Sequence, residues 1–181
     1  MELIEEKLKT LTSYHGVIVN VRLDEARLPD GSTAKREVVE HPGGVTVLPL
    51  EADGTVWCVR QYRYPFSRTL LEVPAGKLDA PDEDPLVCAE RELSEETGYT
   101  AKKITKLTTI ATTVGFSNEK IHLYAAEGLT AGKQHTDEDE FINVVRVPLE
   151  EAVAMAQDGR IVDAKSVISI LMLAQQKRAA K

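Results

Sequence analysis

The first forty residues show a strand-like pattern of hydrophobic and polar positions. Apolar residues alternate with polar ones, or run together with β-branched side chains, in three segments: 3–14, 16–28 and 34–40. The turn signal Pro29-Asp30-Gly31 precedes the third segment, and His41-Pro42-Gly43-Gly44 interrupts the pattern after it. We therefore predict a three-stranded antiparallel unit over residues 1–40 and a second domain over residues 41–181.

The remainder of the chain mixes strand-like and helix-like segments. Five segments are apolar and rich in β-branched residues: 45–50, 56–62, 104–113, 120–126 and 141–147. Three others have the spacing of helices: 86–97, 149–158 and 164–177. Because strands dominate and helices come in the middle and at the end, this order predicts an α+β fold with a mixed sheet covered by helices.

The helix predicted over residues 86–97 has clear signals at both ends. Asp84 suits the N-cap, Pro85 suits the first helical position, and Gly98 favours a left-handed stop. At about 100° per residue, one apolar stripe should face the core: Leu86, Ala89 and Leu93. The same spacing predicts three carboxylates on the adjacent face: Glu92, Glu95 and Glu96.

These three carboxylates are unfavourable in an isolated helix. Like charges three or four residues apart repel by roughly 0.2–0.5 kcal/mol per pair, and anions near the last turn oppose the helix dipole. A solvated acidic face is the alternative interpretation of a Glu-rich helix. A hard divalent cation would remove the repulsion and prefers oxygen ligands, so the spacing favours a metal site.

Composition and charge narrow the classes of partner. Apolar residues make up 43% of the 181 positions and charged residues 28%, which is typical of a globular protein. The net charge of −7 and the lack of a Lys/Arg block disfavour nucleic-acid and membrane partners. Cys58 and Cys88 lie in apolar runs and are predicted to be core thiols. Without an apolar leader or a run of about 18 apolar residues, we expect a cytoplasmic protein.

The segment from Gly76 to Tyr99 resembles the Nudix box, G-x5-E-x7-R-E-U-x-E-E-x-G-U, in which U is apolar. Gly76, Glu83 and the run from Arg91 to Tyr99 carry the resemblance, with one extra residue between Gly76 and Glu83. The resemblance implies that Arg91 pairs with Glu83 to brace the loop against the helix. It also implies two or three Mg ions, or Mn, held by Glu92, Glu95, Glu96 and the backbone carbonyl of Ala75.

Three further segments are similar to the ADP-ribose diphosphatase branch of that family: 36–43, 59–65 and 72–76. The resemblance implies a Nudix α/β/α sandwich, with the N-terminal three-stranded unit exchanged across a homodimer. It implies that water attacks the diphosphate of ADP-ribose, or of a related ADP-sugar, and releases AMP and a sugar phosphate. The expected partner is therefore a small nucleotide diphosphate.

The acidic loop Thr136–Glu140 resembles the mobile loop that supplies the catalytic base in this branch. Its register makes Glu138 the base and Glu140 an added metal ligand. The loop is polar and free of proline, so it could close on substrate. Two alternatives stay open: Glu95 as the base, and a plain solvated loop.

Substrate contacts lie outside the box. A planar guanidinium grips phosphate oxygens with two donors, so Arg63 and Arg36 are the candidate diphosphate contacts, with a surface ion pair as the alternative for each. Glu37 resembles a nucleotide contact near the dimer seam. Val114 stands where ADP-ribose enzymes of this branch commonly carry proline. The alternatives are therefore another substrate, such as GDP-mannose or a dinucleotide, or a sensor that binds nucleotide without cleaving it.

Overall fold

The structure, a computed structural model, describes residues 2–80 and 82–180. Its strands are β1 Glu6–His15, β2 Asn20–Arg27, β3 Thr33–Glu40, β4 Gly44–Leu50, β5 Thr55–Arg63, β6 Arg68–Glu72, β7 Ala75–Lys77, β8 Tyr99–Ala111, β9 Lys120–Ala131 and β10 Ile142–Pro148. Its helices are α1 Pro85–Thr97, α2 Leu149–Asp158 and α3 Ala164–Ala179. The chain divides into two compact units, Met1–Gly43 with Ala111–Lys120, and Gly44–Ile110 with Ile121–Lys181.

In the first unit, β1, β2 and β3 form the predicted antiparallel sheet in that order. The second strand begins at Asn20, so its predicted start at residue 16 is wrong. The reason is a tight turn in which the Gly16 N–H donates to the Val19 carbonyl at 3.0 Å. A Cβ at position 16 would lie only 2.7 Å from that carbonyl oxygen, so glycine suits this turn.

The second unit is built on a mixed sheet with the order β10-β5-β4-β9-β8. Strands β4 and β9 pair in parallel, whereas β4 with β5 and β5 with β10 are antiparallel. Two strands were not predicted: β6, which pairs with β5, and β7, which pairs with β4. They are short and lack an alternating pattern, so only their pairing with neighbouring strands defines them.

Helices cover both faces of this sheet, which confirms the predicted α+β sandwich. Val45 and Val47 of β4 belong to a core cluster with α1, whereas Leu48 and Leu50 belong to a cluster with α2 and α3. Alternate residues of a strand point to opposite faces, so β4 separates the two clusters. The free thiols of Cys58 and Cys88 are buried, one in each cluster, as predicted.

Helix α1 has the predicted ends. Asp84 accepts a hydrogen bond from the Leu86 N–H at 2.9 Å, and Gly98 stops the helix at φ 75°. Ala89 and Leu93 are buried, but Leu86 is 37% exposed, so its predicted place in the core is wrong. It lies in the first turn, before the helix reaches the packed cluster, and Cys88 fills the core instead. Among the described residues, no helix is long and apolar enough to cross a membrane.

Candidate active site

The acidic face of α1 is turned inward. Glu92 is 8% exposed and Glu96 2%, while Glu95 is partly exposed. Burial raises the pKa of Glu92 to about 7 and that of Glu96 to about 8, because water no longer stabilises the ionised forms. Two buried carboxylates one turn apart are costly to ionise together, so this face favours a cation.

Strand β7 presses against these carboxylates. The Ala75 N–H donates to Glu96 Oε2 at 3.0 Å, and a Cβ on Gly76 would lie 1.9 Å from Glu92 Oε1. Pairing with Val45 and Thr46 of β4 fixes this position. Glycine at 76 therefore leaves room for the Glu92 carboxylate beside the backbone.

Arg91 is the centre of an ion-pair cluster beside this face. Its Nη1 lies 2.7 Å from Glu92 Oε1 and 3.1 Å from Glu95 Oε2. Its Nη2 lies 3.5 Å from Glu83 Oε1, and Glu83 Oε2 accepts the Asp79 N–H at 2.7 Å. The cluster thus ties the loop before α1 to the helix.

The donor set suits a hard divalent ion, because it offers carboxylates and a nearby backbone strand. Within residues 2–80 and 82–180, no group of three or more His, Cys, Asp or Glu is already arranged as a metal site. Arg91 engages Glu92 and Glu95, and the Ala75 N–H engages Glu96. Each of these bonds uses one oxygen of its carboxylate, so the second oxygen of each is not engaged by them and suits an ion.

The loop after β9 has a stem that docks on the C-terminal end of α1. The Gly132 N–H donates to the Gly98 carbonyl at 2.7 Å, and the His135 N–H to the Glu95 carbonyl at 3.0 Å. The Gln134 side chain donates to the Glu96 carbonyl at 2.8 Å. These bonds satisfy carbonyls that a helix end otherwise leaves free.

The acidic tip of this loop, residues 136–140, is closed by its own hydrogen bonds. Glu140 is partly buried, and this burial, with Asp137 and Asp139, raises its pKa. The negative charge of Glu140 also helps to raise the pKa values of Glu92 and Glu96. Glu138 is exposed at the tip.

Arg63 forms a bidentate ion pair with Glu72, with Nε and Nη2 at 2.7 and 2.8 Å from its two carboxylate oxygens. Lys165 donates to the same carboxylate at 2.7 Å. Burial alone would raise the pKa of Glu72, but the hydrogen bonds from Arg63 and Lys165 outweigh it and hold the pKa below its ordinary value. Glu72 and Lys165 were not among the predicted site residues.

Arg36 and Glu37 belong to the first unit. Arg36 donates from Nε and Nη2 to the carboxylate of Glu5 at 2.8 and 2.7 Å, so it is engaged in a surface ion pair. A cavity of about 430 Å³ in this unit is lined by Leu23, Lys35, Arg36, Glu37, Gly115 and Phe116. The predicted diphosphate contact Arg36 and the predicted nucleotide contact Glu37 thus line one cavity.

A family model described as NUDIX domain matches residues 40–168. The chain belongs to the Nudix family. It is 42% identical over 179 residues to a methanol dehydrogenase activator of Bacillus methanolicus, covering 97% of this chain and 96% of that protein. It is also 42% identical over 176 residues to an ADP-ribose pyrophosphatase of Bacillus subtilis, covering 96% and 95%.

The Nudix chain is also similar to a third curated protein and to a solved structure. A GDP-mannose pyrophosphatase of Pectobacterium atrosepticum is 34% identical over 180 residues, covering 93% of this chain and 91% of that protein. A solved structure of an ADP compounds hydrolase has a TM-score of 0.87 at 22% identity, covering 99% of this chain and 98% of that one. The solved structure shows the Nudix fold.

One cavity lies away from the Nudix acids. It has a volume of about 550 Å³ and is lined by the 50–54 turn, Glu127, the start of α2 and the end of α3. It adjoins Leu50 at the far end of β4 from Val45. Its cations are already paired, Lys177 with Glu127 and Arg178 with Glu150. The buried acids of α1, with their raised pKa values, are therefore the better candidate for a functional site.

Proposed function

We propose that this Nudix chain hydrolyses the diphosphate of ADP-ribose, or of a related ADP-sugar, to AMP and a sugar phosphate. One observation carries the proposal: the buried carboxylates of Glu92 and Glu96 lie against Ala75 and Gly76. The similarity to an ADP-ribose pyrophosphatase over nearly the whole chain supports the substrate class.

The proposed cofactor is Mg, with Mn as a substitute and two or three ions in all. Its ligands would be Glu92, Glu95, Glu96, Glu140 and the carbonyl of Ala75. When bound, such ions polarise phosphoryl oxygens and lower the pKa of a bound water. This set supplies the oxygen donors that such ions prefer.

The chain's own groups would handle the proton. In this proposal Glu138 takes a proton from the attacking water, and the tip moves to bring it there. The tip is held by hydrogen bonds within residues 136–140, whereas the stem is anchored on α1, so a movement confined to the tip is consistent with the contacts. Glu95 is the alternative base, although its carboxylate is engaged by Arg91.

Arginines would bind the diphosphate. Glu72 uses Nε and Nη2 of Arg63, so the two N–H groups of Nη1 are not used by this pair and suit phosphate oxygens. In the first unit, Arg36 and Glu37 would contact the nucleotide. The pair of Arg36 with Glu5 is partly exposed and weakened by solvent, so a phosphate can displace Glu5.

The test is turnover of three substrates by the purified chain with and without Mg: ADP-ribose, GDP-mannose and a dinucleoside polyphosphate. We expect AMP and ribose 5-phosphate from ADP-ribose, with no turnover when Mg is omitted. Metal-dependent turnover of GDP-mannose alone would contradict the proposed substrate and make GDP-mannose the substrate instead. Binding of ADP-ribose without turnover of any substrate would contradict the hydrolase and indicate a nucleotide sensor.

GDP-mannose is the second candidate substrate. Relatives named GDP-mannose pyrophosphatase match at 34–40% identity. Val114, where a proline is expected in the ADP-ribose branch, is exposed and offers no polar contact to a base. This position therefore does not favour adenine over guanine, and the product analysis decides between them.

We also propose a homodimer in the cytoplasm, with the first unit exchanged between protomers. Large apolar side chains are exposed along this unit: Leu3, Ile4, Leu8, Leu11, Tyr14, Val17 and Ile18. Apolar surface of this kind is typical of an association face. The free thiols of Cys58 and Cys88 suit a reducing compartment.

A further inference from the structure

A buried network links α3 to the strand that precedes the Nudix glycine. Glu72, 2% exposed, accepts two hydrogen bonds from Arg63 and one from Lys165, whose side chain is 11% exposed. A buried carboxylate is stable only when its charge is paired and its oxygens are hydrogen-bonded. Arg63 and Lys165 together meet both requirements.

The network continues from Lys165 to the backbone. Its Nζ lies 2.9 Å from Asp163 Oδ2, which also accepts the Ser166 hydroxyl at the start of α3. The Ser166 Oγ in turn accepts the Val73 N–H at 2.8 Å. Residues 163–166 therefore hold both the Glu72 side chain and the backbone of Val73, just before Ala75.

Lys165 bears on Arg63 in two ways. It binds Glu72 Oε2, the same oxygen that accepts Arg63 Nη2, and so helps to hold the carboxylate that orients the guanidinium. It also supplies a second positive charge, so that two cations share the single negative charge of Glu72 and Arg63 is not fully neutralised. The negative charge of Asp163 offsets the positive charge of Lys165. Asp163 lies at the N-terminus of α3, however, where the helix dipole adds about half a positive charge.

We propose that Lys165 is a positioning residue for diphosphate binding. It does not touch the substrate, but it fixes Glu72 and thereby presents Nη1 of Arg63 to the phosphate oxygens as a cation. The inference rests on the proposed function, in which Arg63 binds the diphosphate. Residues that orient the ligands of a metal site typically change affinity or activity by roughly 10–100-fold when removed, and we expect an effect of that order here.

The experiment compares Lys165→Met with Lys165→Arg, and uses Lys177→Met as the matched control. Lys177 is also in α3 and also ion-paired, with Glu127, but it lies at the other end of the helix. The readouts are kcat and KM for ADP-ribose, and the Kd of a non-hydrolysable analogue, α,β-methylene ADP-ribose, by calorimetry. Thermal unfolding reports on folding.

For Lys165→Met we expect KM and the analogue Kd to rise at least about tenfold, with a smaller change in kcat. Lys165→Arg should recover most of the affinity, and Lys177→Met should match the wild type. A purely structural role would instead lower Tm or kcat and leave the analogue Kd unchanged, which overturns the inference. So would an equal loss of affinity in the Lys177 control.

A second variant at position 165 and the wild type complete the test. If Lys165→Met does not fold, Lys165→Gln keeps a hydrogen-bond donor without the charge, and we expect it to weaken analogue binding as well. An unchanged Kd in this variant would contradict the inference. The wild type separates the two proposals, because its failure to turn over any substrate counts against the hydrolase, whereas a normal wild type with unaffected Lys165 variants counts against Lys165 alone.

Discussion

At the scale of single residues, Glu92 and Glu96 are acids held away from water. Their folded pKa values of about 7 and about 8 lie above the ordinary value of 4.5 because burial disfavours the charged forms. The folded state therefore binds more protons than the unfolded state between about pH 4.5 and pH 8. The metal-free chain should lose stability as pH rises through this window, and a divalent ion should restore it.

The metal-induced increase in Tm should consequently be larger at pH 8 than at pH 6. A shift of one pKa unit corresponds to about 1.4 kcal/mol, which in a chain of this size changes Tm by about 4 °C. We expect the Mg-induced increases in Tm at pH 8 and pH 6 to differ by an amount of that order. Thermal unfolding with and without Mg at both pH values measures it. Glu96→Gln should reduce the pH dependence, and an equal Mg effect at both pH values would contradict the assignment.

Gly76→Ala should damage the site without unfolding the chain. The three atoms nearest to the new Cβ would all belong to the Glu92 carboxylate, at the end of a side chain that can move, so the cost falls on the position of that carboxylate. We expect Mn affinity to fall at least about tenfold with little change in Tm. Gly115→Ala is the control, because a Cβ there meets nothing within 4 Å. Unaltered Mn binding by Gly76→Ala would show that the close approach of the Gly76 backbone to the Glu92 carboxylate is not needed for metal binding.

Glu138→Gln should separate the two candidate bases. If Glu138 accepts the proton from water, the amide should lower kcat by on the order of 100-fold, while Mn binding persists. Asp139→Asn removes the same charge from the neighbouring exposed position and should have a small effect. An unchanged rate in Glu138→Gln would move the base to Glu95.

At the scale of elements, the stem of the acidic loop is predicted to set the position of its tip. Gln134 is the stem side chain that bonds the end of α1. Gln134→Ala should lower kcat by about tenfold through a misplaced tip, with KM less affected. Gln175→Ala, on an exposed position of α3, is the matched control. Equal kcat in the two variants would show that the stem does not position the tip.

Helix α1 and its acids could be predicted because their signals are local. Asp84, Pro85 and Gly98 define the helix ends within one segment, and the spacing of the three glutamates fixes their face. Strands β6 and β7 could not be predicted in this way, since their pairing with β5 and β4 is what makes them strands. Lys165 was missed for the same reason, because its partner Glu72 lies 93 positions earlier.

At the scale of the whole molecule, the exposed apolar residues of the first unit lead us to expect a dimer. Light scattering after gel filtration should give twice the monomer mass. Leu11→Asp should raise the dimer Kd at least about 100-fold, because it would place a charge in an apolar face. Thr105→Asp, at an exposed position of β8, should leave the mass unchanged. A monomeric wild type would contradict the exchange of the first unit.

The contact between Gly98 and Gly132 limits where this protein tolerates insertions. A Cβ on Gly98 would lie 2.7 Å from the Gln134 nitrogen, and one on Gly132 would lie 2.8 Å from the Gly98 oxygen. Neither glycine therefore has room for a side chain, whereas the hydrogen bonds of the tip lie within residues 136–140. A change of length in the stem would therefore displace the end of α1, and with it Glu95 and Glu96, whose backbone carbonyls the stem binds.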